Sequence, residues 1–374
     1  MKIRVLHVID HLGYGGAPLV VKGLVEALPS DRVESFVCAL RANKRAVDIS
    51  AAVQTLNCHK YSLATVRAVT RLCAECEIDI VRAHLQKAVI TSLLAAPRCG
   101  GALILHEHGP IFRGGTGCFY RLFLKLWGSR ANTIIANSQA ACRALQRVLG
   151  YTEVPVVVVP NSVDLQRFDP TRYDRRIVRE HLGLCEDDFV VGFVGRLDRA
   201  KGADLLIEAA AYLRDRQDVC RFYLMGDGVQ RRTLERQVHR RRLEGIVTLG
   251  GLCENPAEIM RAFDVAVVPS RREAFGVAAL ELMCMKVPVI VSPVGGLPEL
   301  VEEGRAGIVL PERSAPAIAS AIRSLQQDRS RRAELAEAAF RRASAFERRK
   351  VVNQILDVYE KIVSPTREDS ASHE

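Results

Sequence analysis

Residues 264–307 read DVAVVPSRREAFGVAALELMCMKVPVIVSPVGGLPELVEEGRAG. The apolar run at the start of this segment predicts a buried strand, residues 274–285 predict a helix, and PVIVSPV predicts a second strand. A strand, a helix and another strand form the repeating unit of a parallel sheet. Ser270 and Glu273 follow the first strand, at the edge of such a sheet where ligands bind.

The same alternation of apolar strands and helical segments runs through the rest of the chain. It begins at IRVLHVI and completes an open α/β unit by about residue 165. Residues 160–170 form a linker, and the alternation starts again at FVVGFVG. The sequence therefore predicts an α/β protein with two Rossmann-like, doubly wound lobes facing a cleft. We expect the lobes at 1–165 and 166–362, with the last helix able to pack back on the first lobe, and a polar, mobile tail at 363–374.

The length of 374 residues, with 48% hydrophobic and 26% charged residues, excludes a single small module and a disordered chain. No apolar run reaches the roughly 20 residues needed to span a bilayer, and the N-terminal segment is too short and too charged for a signal sequence. We therefore expect a cytosolic protein.

The sequence does not predict a metal centre or a disulfide framework. Its 11 cysteines are irregularly spaced, and we interpret them as reduced thiols. The close pair Cys73 and Cys76 lies in a helical pattern, so we assign it no zinc or redox role. The chain contains no Asp-x-Asp, and no cluster of His, Cys and carboxylate residues has the spacing of metal ligands. We predict a metal-independent site without a cofactor.

The positive charge is concentrated in the first half of the chain. Residues 41–150 contain 15 Lys and Arg against 5 Asp and Glu, whereas the net charge of the whole chain is +10. Such an excess attracts anionic lipid headgroups, an anionic polymer or nucleic acid, and it is also compatible with a plain solvated surface.

Two glycine-containing loops follow predicted strands. In HLGYGGAP, Gly15 and Gly16 allow backbone N–H groups to approach a ligand closely, but the loop lacks the spacing of a dinucleotide-binding fingerprint. In GFVGRLDRAKGADLLIEAA, Arg196 and Lys201 precede a helix. Two cations and the N–H groups at a helix N-terminus can neutralise a diphosphate without a metal ion.

A third loop, after the strand DVAVVPS, contains Glu273, Phe275 and Gly276, and Glu281 follows on an otherwise apolar helix. The Glu281 carboxylate can accept hydrogen bonds from two adjacent ribose hydroxyls. Glu273 and the N–H groups near Phe275 and Gly276 can bind a sugar or its phosphate. Two glutamates at this spacing are a weak pattern, because any amphipathic helix can produce it.

Together, these motifs resemble the retaining glycosyltransferases of family four (glycosyl transferase group 1), which have the GT-B fold. The resemblance covers about residues 1–360 and includes, in order, the Gly15–Gly16 loop, LHEHG, ANS at 136–138, VPNSVDLQRF at 159–168, GRLDRAKG at 195–202, LMGDG at 224–228 and the glutamate motif. It implies that Arg196 and Lys201 hold the donor diphosphate and that Glu281 holds the ribose. By the same resemblance, the transferred sugar contacts Glu273, Phe275 and Gly276, and the base lies near Gly250, Leu252 and Glu254.

The family places a histidine near the transferred sugar, and LHEHG offers His106 and His108. We expect these two side chains on alternate faces of the strand end, and His108, which precedes a glycine, matches the family position better. The alternative is that both histidines only satisfy the interior. Ser162 stands where the family commonly has glycine, which leaves the shape of that turn open.

The resemblance implies transfer of a sugar, with retention of configuration, from a UDP-, GDP- or ADP-sugar to a glycan or lipid-linked acceptor. Cell-surface polysaccharide or lipopolysaccharide synthesis would be the setting, and the catalytic residues would be His108, Arg196, Lys201 and Glu273. The basic first half would bind the acceptor. It would also bind the anionic inner face of the cytoplasmic membrane, which would make the chain a peripheral membrane protein.

Two alternatives belong to other classes. A nucleotide-sugar epimerase of similar fold would consume the donor without an acceptor. A non-catalytic polyanion or nucleic-acid binder would use the basic half, but the chain has one Trp and no recognised nucleic-acid module. We expect no nucleic-acid partner.

Overall fold

The chain forms two compact units, residues 1–162 with 348–374 and residues 163–347. The computed structural model describes the backbone of residues 2–13, 15–43, 46–57, 62–108, 115–150 and 153–371, and their side chains except 115, 116 and 365–371. The division lies close to the predicted boundary at 165/166. Residues 348–362, which the sequence assigned to the second lobe, belong to the first unit.

Strands and helices alternate along both units. The strands are β1 (Ile3–His11), β2 (Val33–Arg41), β3 (Ala52–Thr55), β4 (Ile80–His84), β5 (Ala102–Glu107), β6 (Thr133–Ala136), β7 (Val156–Val158), β8 (Val190–Val194), β9 (Arg221–Met225), β10 (Val247–Gly251), β11 (Val265–Val268), β12 (Val289–Val291) and β13 (Ile308–Val309). The helices are α1 (Gly16–Ala27), α2 (Leu63–Glu75), α3 (Gln86–Ala95), α4 (Gly115–Trp127), α5 (Gln139–Leu149), α6 (Arg175–His181), α7 (Ala203–Arg214), α8 (Arg231–Arg240), α9 (Pro256–Met260), α10 (Val277–Cys284), α11 (Leu297–Leu300), α12 (Ala315–Gln327), α13 (Arg329–Ala343) and α14 (Arg348–Ala371).

Each unit is built on one parallel sheet. The first has the strand order β3-β2-β1-β4-β5-β6-β7 and the second β10-β9-β8-β11-β12-β13. The strand order of the second sheet is the same as that of the first six strands of the first sheet. This order is the Rossmann arrangement. In each sheet the strands are added first on one side of the first strand and then on the other. The strand order therefore reverses between β1 and β4 in the first sheet and between β8 and β11 in the second. Ligands of open α/β sheets bind at this switch point, outside the carboxyl ends of the strands.

The apolar runs form these strands because helices cover both faces of each sheet. All residues of β4 and of β11 are buried, as expected for central parallel strands. Ser62, Ser138 and Ser314 cap helices α2, α5 and α12, each accepting a hydrogen bond from a backbone N–H of the first turn. Local capping and the apolar pattern therefore agree on where these elements begin.

Helix α14 completes the core of the first unit. Its apolar face, including Ile355 and Tyr359, packs with Val5, Ile80 and Ile104 on one face of the first sheet. Burial of this face explains why the last helix belongs to the first unit. The helix continues to Ala371 and therefore includes part of the segment 363–374, for which the sequence predicted a mobile tail.

Two of the sequence expectations concern thiols and membranes. Every described cysteine is a free thiol, in agreement with the interpretation of reduced cysteines. Within the described ranges, no helix combines the length and the apolar character required to cross a bilayer.

Candidate functional site

The switch point of the second sheet brings together two loops that are far apart in sequence. One loop follows β8 and leads into α7, and the other follows β11 and leads into α10. Lys201 Nζ, from the first loop, donates to Glu273 Oε2, from the second, at 2.5 Å. The Ser270 hydroxyl donates to the same carboxylate oxygen at 3.3 Å. The side chains of Lys201 and Glu273 are only 26% and 14% exposed, so this is a sheltered ion pair.

A second ion pair ties the same loops together. The Arg271 guanidinium donates to both carboxylate oxygens of Asp204 in the first turn of α7, at 2.7 and 2.6 Å. The Arg271 backbone N–H also donates to the Ala200 carbonyl at 2.7 Å. A two-pronged arginine–carboxylate contact fixes direction as well as distance. Arg271 therefore positions Lys201 relative to Glu273, a role that sequence reasoning missed because charge in a loop gives no sign of its partner.

Glycines allow the backbones to approach closely at this point. Gly202, which caps α7, has φ 74°, and a Cβ there would lie 2.1 Å from the Pro269 carbonyl oxygen. Gly295 has φ 58°, and a Cβ there would lie 1.6 Å from the Glu273 carbonyl oxygen. Only glycine fits such positions without displacing the loop that carries Glu273.

The charges around the predicted diphosphate position are balanced. Arg196, whose side chain is 66% exposed, pairs with Asp198 at 3.0 Å, and Lys201 pairs with Glu273. The sequence predicted that these two cations, together with helix N–H groups, neutralise a diphosphate without a metal ion. In the ligand-free structure each cation is paired with a carboxylate, so a phosphate ligand would compete with these carboxylates for the cations. An exposed pair such as Arg196–Asp198 contributes little energy and exchanges easily.

Glu281 lies half-buried on α10, and burial raises the pKa of its carboxyl to about 7, with the Arg167 guanidinium opposing the shift. Arg167 Nη2 lies 3.5 Å from the Glu254 carbonyl oxygen, which it faces as a donor. The Asp164 carboxylate accepts the backbone N–H of Arg167 at 3.1 Å and so holds this turn. Arg167 stands within VPNSVDLQRF and is a further candidate that the sequence did not single out. Ser162, in the same motif, does not adopt a left-handed backbone, so this turn does not need glycine.

The remaining residues predicted to bind the donor differ in which side-chain or backbone groups are available to a ligand. Phe275 is 4% exposed and packs edge-on against Phe346, with ring centroids 5.5 Å apart, so its side chain belongs to the core. Gly276 caps α10 in a left-handed conformation, which leaves the backbone N–H groups at the start of this helix as the available donors. Gly250 lies in β10, where a Cβ would be 2.4 Å from the Tyr223 hydroxyl, and Leu252 follows with 54% exposure.

In the first unit, Gly15 and Gly16 stand at the start of α1, after β1. Gly15 has an extended backbone, and a Cβ at Gly16 would meet nothing within 4 Å. The tight position in this loop is Gly13, where a Cβ would lie 2.1 Å from Asn43 Nδ2. Close approach of backbone to ligand at Gly15 and Gly16 stays a prediction.

Four histidines form a buried cluster: His7 in the middle of β1, His84 at the end of β4, His106 in β5 and His108 just after β5. His7 Nδ1 lies 3.2 Å from His84 Nε2, and His84 Nδ1 lies 2.8 Å from His108 Nε2. The rings of His106 and His108 have centroids 3.9 Å apart. The expectation that these two side chains occupy alternate faces was wrong, because residues two apart on a strand share a face.

The whole cluster is uncharged at neutral pH. Burial, assisted by the buried Arg82 cation, lowers the pKa of His7 and of His108 to about 3. Burial and neighbouring imidazoles and Arg82 hold the pKa values of His84 and His106 well below the usual range. A neutral imidazole can donate and accept hydrogen bonds, but it cannot form an ion pair with a phosphate.

The cluster also meets the distance requirement of a metal site. His84, His106 and His108 each offer one ring nitrogen within 4.8 Å of the others. The sequence suggested no such cluster, because two different strands supply these side chains. Arg82 Nη2 lies 2.8 Å from His106 Nδ1 and donates to it, so the hydrogen of neutral His106 is on Nε2 and the ring has no free lone pair. This arrangement disfavours a metal ion bound by all three, and metal independence remains a prediction.

The predicted site residues thus divide between the units. Gly15, Gly16 and His108 lie in the first, and the other predicted residues lie in the second. Within the second unit the structure joins Lys201 directly to Glu273, whereas Glu281 forms no direct bond with either.

Two family models match the chain in succession. Residues 14–167 match Glycosyltransferase Family 4, and residues 174–342 match Glycosyl transferases group 1. Among curated relatives, a D-inositol 3-phosphate glycosyltransferase of Geodermatophilus obscurus is 35% identical over 242 residues, covering 62% of this chain and 53% of the relative. The alpha-D-kanosaminyltransferase of Streptomyces kanamyceticus is 34% identical over 195 residues, covering 51% of this chain and 50% of the relative. The chain spans about half the length of the curated relatives it matches.

Solved structures resemble the chain over nearly its full length. HepE from Anabaena, in complex with UDP, has a TM-score of 0.82 and 25% identity, and the match covers 96% of this chain and 100% of that one. Sucrose-phosphate synthase from Thermosynechococcus elongatus has a TM-score of 0.84 at 21% identity, covering 97% and 100% of the two chains, a likeness of fold. The two matched family models, the shared fold and the order of the motifs agree, and this chain is a member of glycosyltransferase family four with the GT-B fold.

Proposed function

We propose that this protein transfers a glycosyl group from a nucleoside-diphosphate sugar to an acceptor hydroxyl. The observation that carries the proposal is the Lys201–Glu273 pair at the switch point of the second sheet, with Arg196 on the same loop as Lys201. Family membership supports it, as do the structures of Anabaena HepE solved with UDP and with UDP-glucose. Both curated relatives described above are named as glycosyltransferases, which favours transfer over epimerisation.

The donor diphosphate binds Arg196 and Lys201 in this proposal. An ammonium group has three N–H donors, so Lys201 can keep its bond to Glu273 while it donates to a phosphate oxygen. Arg196 can leave Asp198 for the phosphate, because an exposed ion pair is weak. The α7 N-terminus, capped by Gly202, adds a positive end beside these two side chains.

The rest of the donor extends along the same edge of the sheet. Glu281 accepts the ribose hydroxyls, and the sugar contacts Glu273 and the N–H groups of Phe275 and Gly276. The base lies near Gly250, Leu252 and Glu254, where Arg167 approaches the Glu254 carbonyl. His108 remains the proposed catalytic residue of the first unit.

We infer a metal-independent reaction with retention. The acceptor oxygen forms its bond to the anomeric carbon on the face from which the diphosphate leaves, while the bond from that carbon to the phosphate oxygen breaks. The electron pair of the breaking bond goes to the leaving diphosphate, which takes the acceptor proton. Arg196 and Lys201 act by stabilising the negative charge that grows on the leaving group.

A panel of UDP-, GDP- and ADP-sugars tests the donor. A true donor at 100 times its Kd stabilises the fold by about 2.7 kcal/mol, which thermal unfolding detects.

Arg196→Ala and Lys201→Ala should each lower turnover roughly 100- to 1,000-fold. Arg199→Ala is the matched control, because Arg199 is an exposed arginine of the same loop and its backbone carbonyl, which the substitution keeps, accepts from Arg271. Equal turnover of all three variants would reject the assignment.

We also propose that the acceptor is a glycan or a lipid-linked glycan of the cell surface, and that the first unit docks on an anionic membrane from the cytoplasmic side. Helix α4 supports this choice. Phe119, Leu122 and Leu126 are 57%, 56% and 58% exposed on one side of α4, and the exposed cations Arg121 and Lys125 lie next to them. An exposed apolar stripe beside cations is the pattern of a helix that lies in a lipid headgroup region.

Vesicle flotation tests the membrane proposal. Burying the exposed half of three apolar side chains contributes about 3 kcal/mol, and each cation contributes about 1 kcal/mol near an anionic surface. Phe119→Ser with Leu122→Ser should therefore lower binding to vesicles containing phosphatidylglycerol by more than tenfold. Val229→Ser, at a residue 91% exposed in the second unit, is the control. Equal binding to neutral and anionic vesicles, or no effect of the double substitution, would contradict the proposal.

A further inference from the structure

The histidine cluster follows strict hydrogen-bonding rules because its members are neutral. His7, Arg82, His84 and His106 are almost completely buried, and Arg82 donates to Tyr359 on α14 at 2.8 Å as well as to His106. Among the described residues, the titratable or charged groups joined by hydrogen bonds in this cluster are the four histidines, Arg82 and Tyr359. A neutral imidazole has one N–H donor and one acceptor nitrogen, so each contact restricts the next.

Arg82 determines the tautomer of His106. An arginine side chain has only donors, so His106 Nδ1, 2.8 Å from Arg82 Nη2, must be the acceptor. The hydrogen of His106 is therefore on Nε2. This nitrogen is buried and has no hydrogen-bond partner among the described residues. It is a donor that cannot become an acceptor while Arg82 stays in place.

His7, His84 and His108 form a chain with a different property. Both contacts, at 3.2 and 2.8 Å, join the Nδ1 of one ring to the Nε2 of the next. If His84 carries its hydrogen on Nδ1, His7 and His108 must carry theirs on Nδ1 as well. If His84 carries it on Nε2, the other two follow. The chain therefore has one shared tautomer, and its ends, His7 Nε2 and His108 Nδ1, are buried without a partner among the described side chains.

We propose that Arg82, His7 and His84 are positioning residues that set the character of two ligand-binding atoms at the end of β5. His106 Nε2 is a fixed donor to a ligand oxygen. His108 Nδ1 is a donor or an acceptor to a ligand hydroxyl, according to the tautomer that the three-histidine chain shares. The identity of the ligand rests on the proposed function, since these atoms would contact the sugar or the acceptor.

Nitrogen-15 NMR of the imidazole rings tests the tautomers in the ligand-free protein. At pH 7 the two-bond proton–nitrogen correlations should show His106 in the Nε2–H form and a single common form for His7, His84 and His108. The exposed His181 provides the pattern of a solvated imidazole for comparison. An Nδ1–H form of His106, or different tautomers within the chain, would overturn the proposal in the wild-type protein alone.

Matched variants separate positioning from packing. Arg82→Met keeps the length of the side chain but removes the donor, so His106 should populate the Nδ1–H form, whereas Arg82→Lys keeps a donor and should preserve Nε2–H. Tyr359→Phe removes the other partner of Arg82 and should leave His106 unchanged. An unchanged His106 in a folded Arg82→Met variant would show that Arg82 only packs, and the wild-type spectrum decides if that variant does not fold.

Addition of UDP-glucose tests the contact with ligand. The Nε2–H resonance of His106 should shift at concentrations that raise the melting temperature. A raised melting temperature with an unchanged His106 resonance would remove His106 from the ligand site while leaving donor binding intact. Tautomers that agree with the proposal in a protein that ignores every nucleotide sugar would reject the proposed function alone.

Discussion

Glu281→Gln should make the protein more stable and a poorer binder of its donor. The Glu281 carboxyl is half-buried on α10, and burial raises its pKa to about 7 from an ordinary value of 4.5. A glutamine of nearly the same shape cannot ionise, so it removes the cost of holding a charge in this environment. If the carboxylate is retained for ribose binding, the substitution exchanges function for stability.

The magnitude follows from the pKa difference between folded and unfolded chains. Because the pKa is higher in the folded protein, the folded state binds the proton more tightly and the contribution to stability is present below pH 4.5. It is lost as the pH rises through 7. At pH 8 the loss amounts to about 3 kcal/mol, and at pH 5 to about 1 kcal/mol, since one pKa unit corresponds to ~1.4 kcal/mol.

Thermal unfolding at the two pH values measures the effect. Glu281→Gln should raise the Tm at pH 8 by roughly 6–12 °C, taking 2–4 °C per kcal/mol for a domain of this size, and by much less at pH 5. Glu254→Gln, at an exposed carboxylate, is the control and should change the Tm little at either pH. The same Tm change at pH 5 and pH 8, or none at pH 8, would refute the reasoning.

Donor binding should respond in the opposite direction. Loss of a charged hydrogen-bond acceptor costs about 1.5–3 kcal/mol, so the Kd for the best nucleotide sugar should rise by roughly 10- to 100-fold at pH 8. The wild-type affinity should weaken between pH 8 and pH 6, as Glu281 takes up a proton, whereas the affinity of the variant should not follow this titration. Calorimetry at both pH values measures the difference, and an unchanged Kd would remove Glu281 from the nucleotide site.

Three further predictions concern the framework. Gly295→Ala should cost about 3 kcal/mol or more in urea unfolding, because its Cβ would meet the backbone 1.6 Å away, whereas Gly304→Ala, also at positive φ but in open space, should cost only about 1 kcal/mol. Arg271→Leu should lower turnover by disordering the two loops while costing about 1–2 kcal/mol of stability, and Asp204→Ala in the same background should add little, which a double-mutant cycle would show. His7→Phe should lessen the loss of stability on acidification from pH 7 to pH 5 by about 2 kcal/mol, because the pKa of His7 is depressed to about 3 in the folded state and the unfolded chain takes up the proton first. Equal acid sensitivity of both proteins in chemical denaturation would contradict the last prediction.

The proximity of Lys201 and Glu273 could be predicted because both residues lie in contiguous motifs. GRLDRAKG and the glutamate motif each place charged side chains directly after a buried strand, and the parallel topology then brings adjacent strand ends together. The Lys201–Glu273 contact follows from this arrangement. Arg271 and Arg167 escaped prediction because a charged residue in a loop becomes informative only when its partner is known.

Alternation of apolar strands with amphipathic helices determined the fold class, since a chain with this periodicity can bury its apolar surface only as sheets covered by helices. Contacts between distant segments decided the rest. Helix α14 joins the first unit because its apolar face meets the first sheet, and the balance of charge at Arg196 and Lys201 depends on which carboxylates fold beside them. The histidine chain is the strongest example. Three neighbouring strands must bring the imidazoles into contact, and burial must keep them neutral, before the hydrogen bonds require a shared tautomer.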